Sequence, residues 1–247
     1  MEETPRPEAG ERKAVPWRTG LVAGLLGVLI GAVAMAAASG YFVRRYLLAN
    51  PEVLTEAMGV LQDRQAEAQE RELVPVVNRQ RAALETPFHG AWAGAQQPDV
   101  VLVEFFDYAC GFCRASNPHV DRLLREDPRL RVVWREFPVL GPDSEQAAIA
   151  SMAAAQAGRY RQFHDAMFGA GRPSAGSIAA AREAAGIGAP ELSDEMRREI
   201  EKNVELARAI HAQGTPTFVV GDQVLHGAVG YEALRDAIAE ARRARAG

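Results

Sequence analysis

Cys110 and Cys113 are the only thiols in a chain of 247 residues, and two residues separate them in "DYACGFC". That spacing admits three chemistries. A structural zinc site takes about four ligands, and here two cysteines stand alone. The five histidines (His89, His119, His164, His211, His226) show no ligand-like pairing. No metal and no resident cofactor is expected. A structural disulfide gains most by closing a long loop, and a two-residue loop offers little. The reading that fits is thiol–disulfide exchange, which needs a CxxC held between a buried strand and a helix.

Position assigns the two sulfurs different work. Cys110 falls where the helix begins. Unpaired backbone N–H groups and the positive end of the helix dipole face it, which favours a thiolate and makes it the attacking sulfur. Cys113 lies one turn further in and should be more buried. Its expected task is to resolve a mixed disulfide by attacking Cys110. Gly111 and Phe112 set the local geometry between them and are expected, with Thr215 and Pro216, among the substrate-binding residues.

The elements that must hold this pair can be read on both sides. "DVVLVEFFD" is a short, nearly continuous apolar run, as in a strand buried on both faces. "CGFCRASNPHVDRLLRED" has helical spacing, with Val120, Leu123 and Leu124 on one side. "RLRVVWREFPVL" alternates as a second strand, with Trp134 in it. Asp143 or Ser144 is a helix N-cap before an alanine-rich run. Helical patterns then continue to about residue 212. "TPTFVVGDQVLHGAV" restores strand character, with Gly221-Asp222 as a hairpin turn. A terminal helix follows.

"VLVEFFDYACGFC" followed far downstream by "GTPTF" resembles the DsbA branch of the thioredoxin superfamily. The fold class implied is α/β, a thioredoxin-like fold with an inserted helical domain. The resemblance implies three further site residues. Pro216 would be a cis-proline facing the cysteines, with the Thr215 backbone turned outward to pair with a substrate strand. Glu104, mid-strand, would be a buried acid that moves the proton of the inner cysteine, its pKa raised by burial. Asp107 and Tyr108 are expected at the rim. The best-known members carry a histidine between the cysteines that contributes to oxidising power. Here the pair is Gly111-Phe112.

The N-terminal part differs in kind. Residues 1–18 are polar and proline-rich, expected as a disordered cytoplasmic tail. Residues 19–43 carry no charge and are long enough for a ~30 Å hydrocarbon core. Arg6, Arg12, Lys13 and Arg18 precede them, and Arg44 and Arg45 follow, which favours a cytoplasmic N-terminus. The segment reads as a transmembrane anchor, with a cleaved signal as the alternative. The expected location is therefore the inner membrane, single-pass, with the catalytic domain in the periplasm, or the periplasm alone after cleavage. Residues 44–90 form a helical linker or self-association region. Val53, Leu54, Ala57, Met58 and Leu61 make one apolar stripe, and Pro75 is expected to break or bend the helix. Residues 91–247 make the DsbA-like thioredoxin domain, with its helical insertion at about 143–212.

The charge of −4, mixed in sign, gives no electrostatic basis for a nucleic-acid partner. The function expected is thiol–disulfide exchange on exported protein substrates, as disulfide formation or as isomerisation and reduction. The partners are thiol-containing proteins, a membrane redox partner that reoxidises or reduces the pair, the membrane itself through the N-terminal helix, and a second copy through residues 51–74. The alternative is a periplasmic soft-metal (copper) binding protein using the two thiolates. The chain has no Met-rich or His-rich tract to support it.

Overall fold

The computed structural model of the chain describes residues 17–246. The elements in order are α1 (Trp17–Ala49), α2 (Glu52–Glu85), β1 (Trp92–Gly94), β2 (Val100–Phe106), α3 (Gly111–Glu126), β3 (Leu130–Glu136), α4 (Pro142–Gln156), α5 (Tyr160–Gly169), α6 (Ala175–Ala185), α7 (Asp194–Ala209), β4 (Thr217–Val220), β5 (Gln223–His226) and α8 (Gly230–Ala246). The chain divides into two compact units, Met1–Gln65 and Ala66–Gly247.

In the first unit, α1 ends at Ala49, and the side-chain amide of Asn50 donates to the Tyr46 carbonyl at 2.9 Å. Pro51 cannot continue that helix, and α2 starts one residue later. Among the described residues no helix is long and apolar enough to cross a membrane. The expected single-pass anchor at 19–43 is therefore corrected, and with it the inner-membrane placement. The expected tail falls on residues 1–16, outside the described residues, and on residues 17 and 18, which open α1.

The second unit is built on a five-stranded sheet of order β1-β3-β2-β4-β5. β2 runs parallel to β3, and the other neighbours are antiparallel. All seven residues of β2 are buried, as a central strand covered on both faces requires. Leu102, Phe106, Val132, Trp134 and Phe218 face α3, α8 and the α4–α6 block in one core. Val101, Val103, Phe105, Val133 and Val219 face α2 and α7 in another. Alternation along each strand divides the two sets. Four helices, α4 to α7, lie between β3 and β4 in the chain.

Three local results differ from the sequence reading. α2 passes through Pro75 without ending. Pro75 lies on the exposed side of the helix, where the missing N–H leaves no buried partner unpaired, while Val77 and Leu84 beyond it are buried against the sheet. β1 has three residues, too few to show a period. Asp143 and Ser144 lie inside the first turn of α4, which Gly141 and Pro142 open. The hairpin turn at Gly221-Asp222 is present between β4 and β5. Gly221 has φ +57, and a Cβ there would stand 2.8 Å from the Cβ of Ala241. Conformation and space both require glycine.

Within this unit, Arg135 fastens the C-terminal end of α2 to β3 and α7. Its side chain is buried on the face opposite the cysteines. It donates to the carbonyls of Ala83, Leu84 (3.0 Å) and Thr86 (2.6 Å), and to Glu199 (3.0 Å) and Asn203 (2.8 Å) on α7. The carbonyls at a helix C-terminus lack intrahelical partners, and one guanidinium supplies donors for them.

Candidate active site

β2 delivers the chain to the top of the sheet and α3 starts there. Cys110 is the N-cap residue of α3, with φ −77 and ψ 117. No side-chain oxygen caps the helix at this position, so its first N–H groups are left facing the Cys110 side. Both cysteines are free thiols. Cys110 is 6% exposed and Cys113 0%. The Cys110 thiol donates to the carbonyl oxygen of Thr215 at 3.1 Å. The Thr215–Pro216 peptide is cis. The structure thus brings Cys110, Cys113, Thr215 and Pro216 to one end of the sheet.

Glu104 lies on β2 with its side chain on the Cys113 side and is 3% exposed. Its Oε2 accepts the indole N–H of Trp134 at 3.1 Å. Burial pushes its pKa up to about 8, against the Trp134 hydrogen bond, which lowers it. Burial also drives the Cys113 thiol far above the ordinary range, and the charge of Glu104 adds to this. The backbone N–H of Asp107 and the Thr215 hydroxyl act the other way. Cys113 therefore ionises only with difficulty while Glu104 holds a charge.

Phe112 is 68% exposed and projects from the site. Gly111 is exposed, and an added Cβ would meet nothing; no steric need dictates glycine there. Val139 and Leu140, each 49% exposed, complete the set of exposed large apolar side chains among the described residues of the second unit.

Asp107 and Tyr108, expected at the rim, are both 1% exposed. Asp107 Oδ1 accepts the N–H of Ala109 at 2.8 Å, and Oδ2 accepts those of Val139 (2.9 Å) and Leu140 (3.0 Å). The Tyr108 hydroxyl meets Ser151 Oγ at 2.9 Å and His164 Nδ1 at 3.2 Å. His164 is wholly buried, and burial holds it neutral, its pKa well below the usual imidazole value. Arg114, directly after Cys113, donates to the carbonyls of Tyr108 (3.2 Å), Phe168 (3.2 Å) and Gly171. Among the described residues no group of three or more His, Cys, Asp or Glu is placed to hold a metal ion.

Sequence reasoning missed Trp134 as the partner of Glu104. The two are directly opposed in the β2–β3 register, and that register was the missing signal. It also missed Asp107 as a buried ligand of three N–H groups. An Asp two residues before a turn amide is an Asx-turn signal, but its hold on residues 139 and 140 is a long-range contact with no local trace.

Residues 101–239 match the family model described as DSBA-like thioredoxin domain, and residues 40–68 match one described as copper resistance protein ScsC N-terminal domain. A thioredoxin-like oxidoreductase from Silicibacter pomeroyi is similar in structure, with 36% identity and a TM-score of 0.59, covering 62% of this chain and 91% of its own. The catalytic domain of Proteus mirabilis ScsC is similar at 25% identity and a TM-score of 0.65, covering 69% of this chain and 99% of its own. Among curated proteins, the Na(+)/H(+) antiporter NhaA 1 of Salinispora arenicola is 30% identical over 158 residues, 60% of this chain and 24% of that protein. The chain thus spans about a quarter of the length of that curated relative. With the sheet order, the CxxC at the strand–helix junction and a family match over more than half its length, the chain belongs to the DSBA-like thioredoxin domain family.

Proposed function

We propose that the chain is a thiol–disulfide oxidoreductase that exchanges a disulfide between the Cys110–Cys113 pair and thiol-bearing protein substrates. The observation that supports this best is the asymmetry of the pair. Cys110 stands at an open helix N-terminus, while Cys113 is enclosed beside a carboxyl poised at about pH 8.

In the oxidising direction a substrate thiolate attacks Cys110 Sγ. A substrate–Cys110 bond forms, the Cys110–Cys113 bond breaks, and Cys113 leaves as a thiolate that takes a proton from Glu104. A second substrate thiolate then attacks the substrate sulfur of the mixed disulfide and expels Cys110 as thiolate. The substrate loses two electrons and the pair gains them. Reduction runs the same steps backwards, with Glu104 taking the proton of Cys113 as it attacks. A redox partner carrying a disulfide or a dithiol restores the pair. Thr215 offers backbone groups, and Phe112 an apolar side chain, for the substrate segment next to Cys110.

The test is exchange with a reduced, unfolded protein, counting thiols, for wild type and Cys110→Ser. Activity that persists in the serine variant would sink this reading. The equilibrium with glutathione sets the direction: a potential near ~−120 mV suits an oxidase, and one near ~−270 mV a reductase.

A second reading has one observation in its favour, the match of residues 40–68 to a copper resistance protein's N-terminal domain. Soft thiolates suit Cu(I), and Cys110 and Cys113 would be the ligands. Stoichiometric Cu(I) uptake without exchange activity would favour it. Leu54, Met58, Val60 and Leu61 are exposed on α2, which supports self-association through residues 51–74; sedimentation as a strict monomer would remove that support.

A further inference from the structure

We infer that the Thr215 carbonyl is a redox-gated acceptor for a substrate's backbone N–H: the Cys110 thiol occupies it in the dithiol form, and formation of the Cys110–Cys113 bond frees it, so the disulfide form is the one that takes up an extended protein segment. The inference rests on the exchange reading above and gives that site a regulation.

The carbonyls around Pro216 differ in the kind of donor they hold. That of Gly214 accepts the Thr217 hydroxyl at 2.8 Å. That of Pro216 accepts the N–H of Gly227 at 2.8 Å. Both donors are permanent. The carbonyl of Thr215 accepts the Cys110 thiol at 3.1 Å, and oxidation removes this donor. Forming the Cys110–Cys113 bond takes two electrons and both thiol protons from the pair, and they pass to the disulfide of a redox partner. Neither sulfur then has a hydrogen to give. The Thr215 carbonyl, half-buried beside Cys110, loses its thiol donor, and a polar group so placed favours a new partner.

An incoming substrate supplies one. In a cysteine only Cα and Cβ separate the backbone nitrogen from the sulfur. When a substrate sulfur reaches Cys110 Sγ, the backbone around it comes within reach of an oxygen 3.1 Å from that same atom. One N–H of an extended segment can then take the place of the thiol proton. The mixed disulfide lacks that proton too, so the new bond lasts until the second substrate thiolate expels Cys110. Cys110 leaves as thiolate, takes a proton from water and reclaims the carbonyl, which displaces the oxidised product. In the reverse direction the dithiol form must break its own bond before a segment can pair. Uptake by the disulfide form and release by the dithiol form suit oxidation of the substrate.

The experiment measures binding of a labelled, cysteine-free peptide to the full chain by fluorescence anisotropy. The peptide is extended and apolar, with serine at the cysteine position. The chain is oxidised with glutathione disulfide or reduced with a phosphine, at a pH where thiolate absorbance is absent. The disulfide form should bind about fivefold more tightly, the worth of one hydrogen bond. Peptides methylated on each backbone nitrogen in turn should include one for which the difference vanishes. Under reducing conditions Cys110→Ala, with no donor, should bind as the disulfide form does. Cys110→Ser, which keeps a hydroxyl donor, should bind as the dithiol form does. Equal affinities of the two wild-type forms, a difference that every methylated peptide retains, equal affinities of the two variants, or no binding to either wild-type form overturns the inference. If the variants do not fold, the wild-type measurements decide. Exchange with a reduced, unfolded protein, run on the same preparation, separates the two readings. Exchange that persists while the affinities agree overturns the inference alone. A wild-type chain without exchange overturns the exchange reading, and the inference with it.

Discussion

The thiol of Cys110 donates to the carbonyl oxygen of Thr215 at 3.1 Å, across 105 positions of sequence. The residue at the start of α3 and the residue before β4 thus make one surface. On it, an outgoing backbone carbonyl and an attackable sulfur lie side by side. A substrate strand that pairs with Thr215 would bring its own sulfur to Cys110.

Cys113→Ser should trap substrates. Without the enclosed thiol, a mixed disulfide at Cys110 has no internal attacker. Non-reducing gels of the variant mixed with a reduced substrate protein should show a covalent adduct that the wild type clears. Absence of the adduct would count against Cys110 as the first sulfur.

Glu104 makes stability fall with pH. Its folded pKa, about 8, lies above the ordinary carboxyl value. The unfolded chain gives up this proton first, so the contribution of Glu104 is fully present below about pH 4.5 and is lost as pH rises through about 8. Glu104→Gln should flatten the fall of Tm across that window. It should also slow the release of partners by Cys113, by ~100-fold if proton transfer limits the step. An unchanged pH slope of Tm would show that Glu104 ionises freely.

Trp134→Phe removes the side-chain donor to Glu104 while keeping an aromatic ring in the core. The indole hydrogen bond lowers the Glu104 pKa, so its loss should raise it further, by about one unit for a bond to a charged group. The check is the pH midpoint of exchange or the Glu104 carboxyl resonance. A midpoint that does not move would mean the indole serves only as packing.

Arg135→Met should destabilise the domain by about 3–5 kcal/mol, since it leaves Glu199, two carbonyls of α2 and the carbonyl of Thr86 without their buried cation. Denaturant melts measure this directly. The exchange chemistry, on the other face of the sheet, should survive in the folded fraction. A loss below about 0.5 kcal/mol would show that α2 is held by its apolar contacts alone.

The sequence was informative where a local pattern decides the structure. β2 reads as a buried strand because all its residues are apolar save Glu104, and the CxxC marks the strand–helix junction. Gly221-Asp222 marks its turn by a need for positive φ. What stayed hidden depends on pairing across long distances. β1 exists because β3 offers it an edge. Trp134 meets Glu104 through register, and Asp107 lies inside because two distant N–H groups come to it. Of the two outcomes expected at Pro75, the break does not occur: tertiary contacts at Val77 and Leu84 outweigh a local breaker on the exposed face.

Because α4 to α7 intervene between β3 and β4, the site is assembled in two stages. β2, α3 and β3 are neighbours in sequence and can dock early. β4 must return across the helical block to lie beside β2, and such a closure is slow relative to local pairing. At a synthesis rate of ~5–20 residues per second, roughly 5–20 s separate the appearance of Cys110 from that of Thr215. During that interval the thiol pair exists without the carbonyl that later receives it. On the exchange reading proposed above, the incomplete chain would in that interval resemble a substrate, a dithiol not yet enclosed, on which finished copies would act.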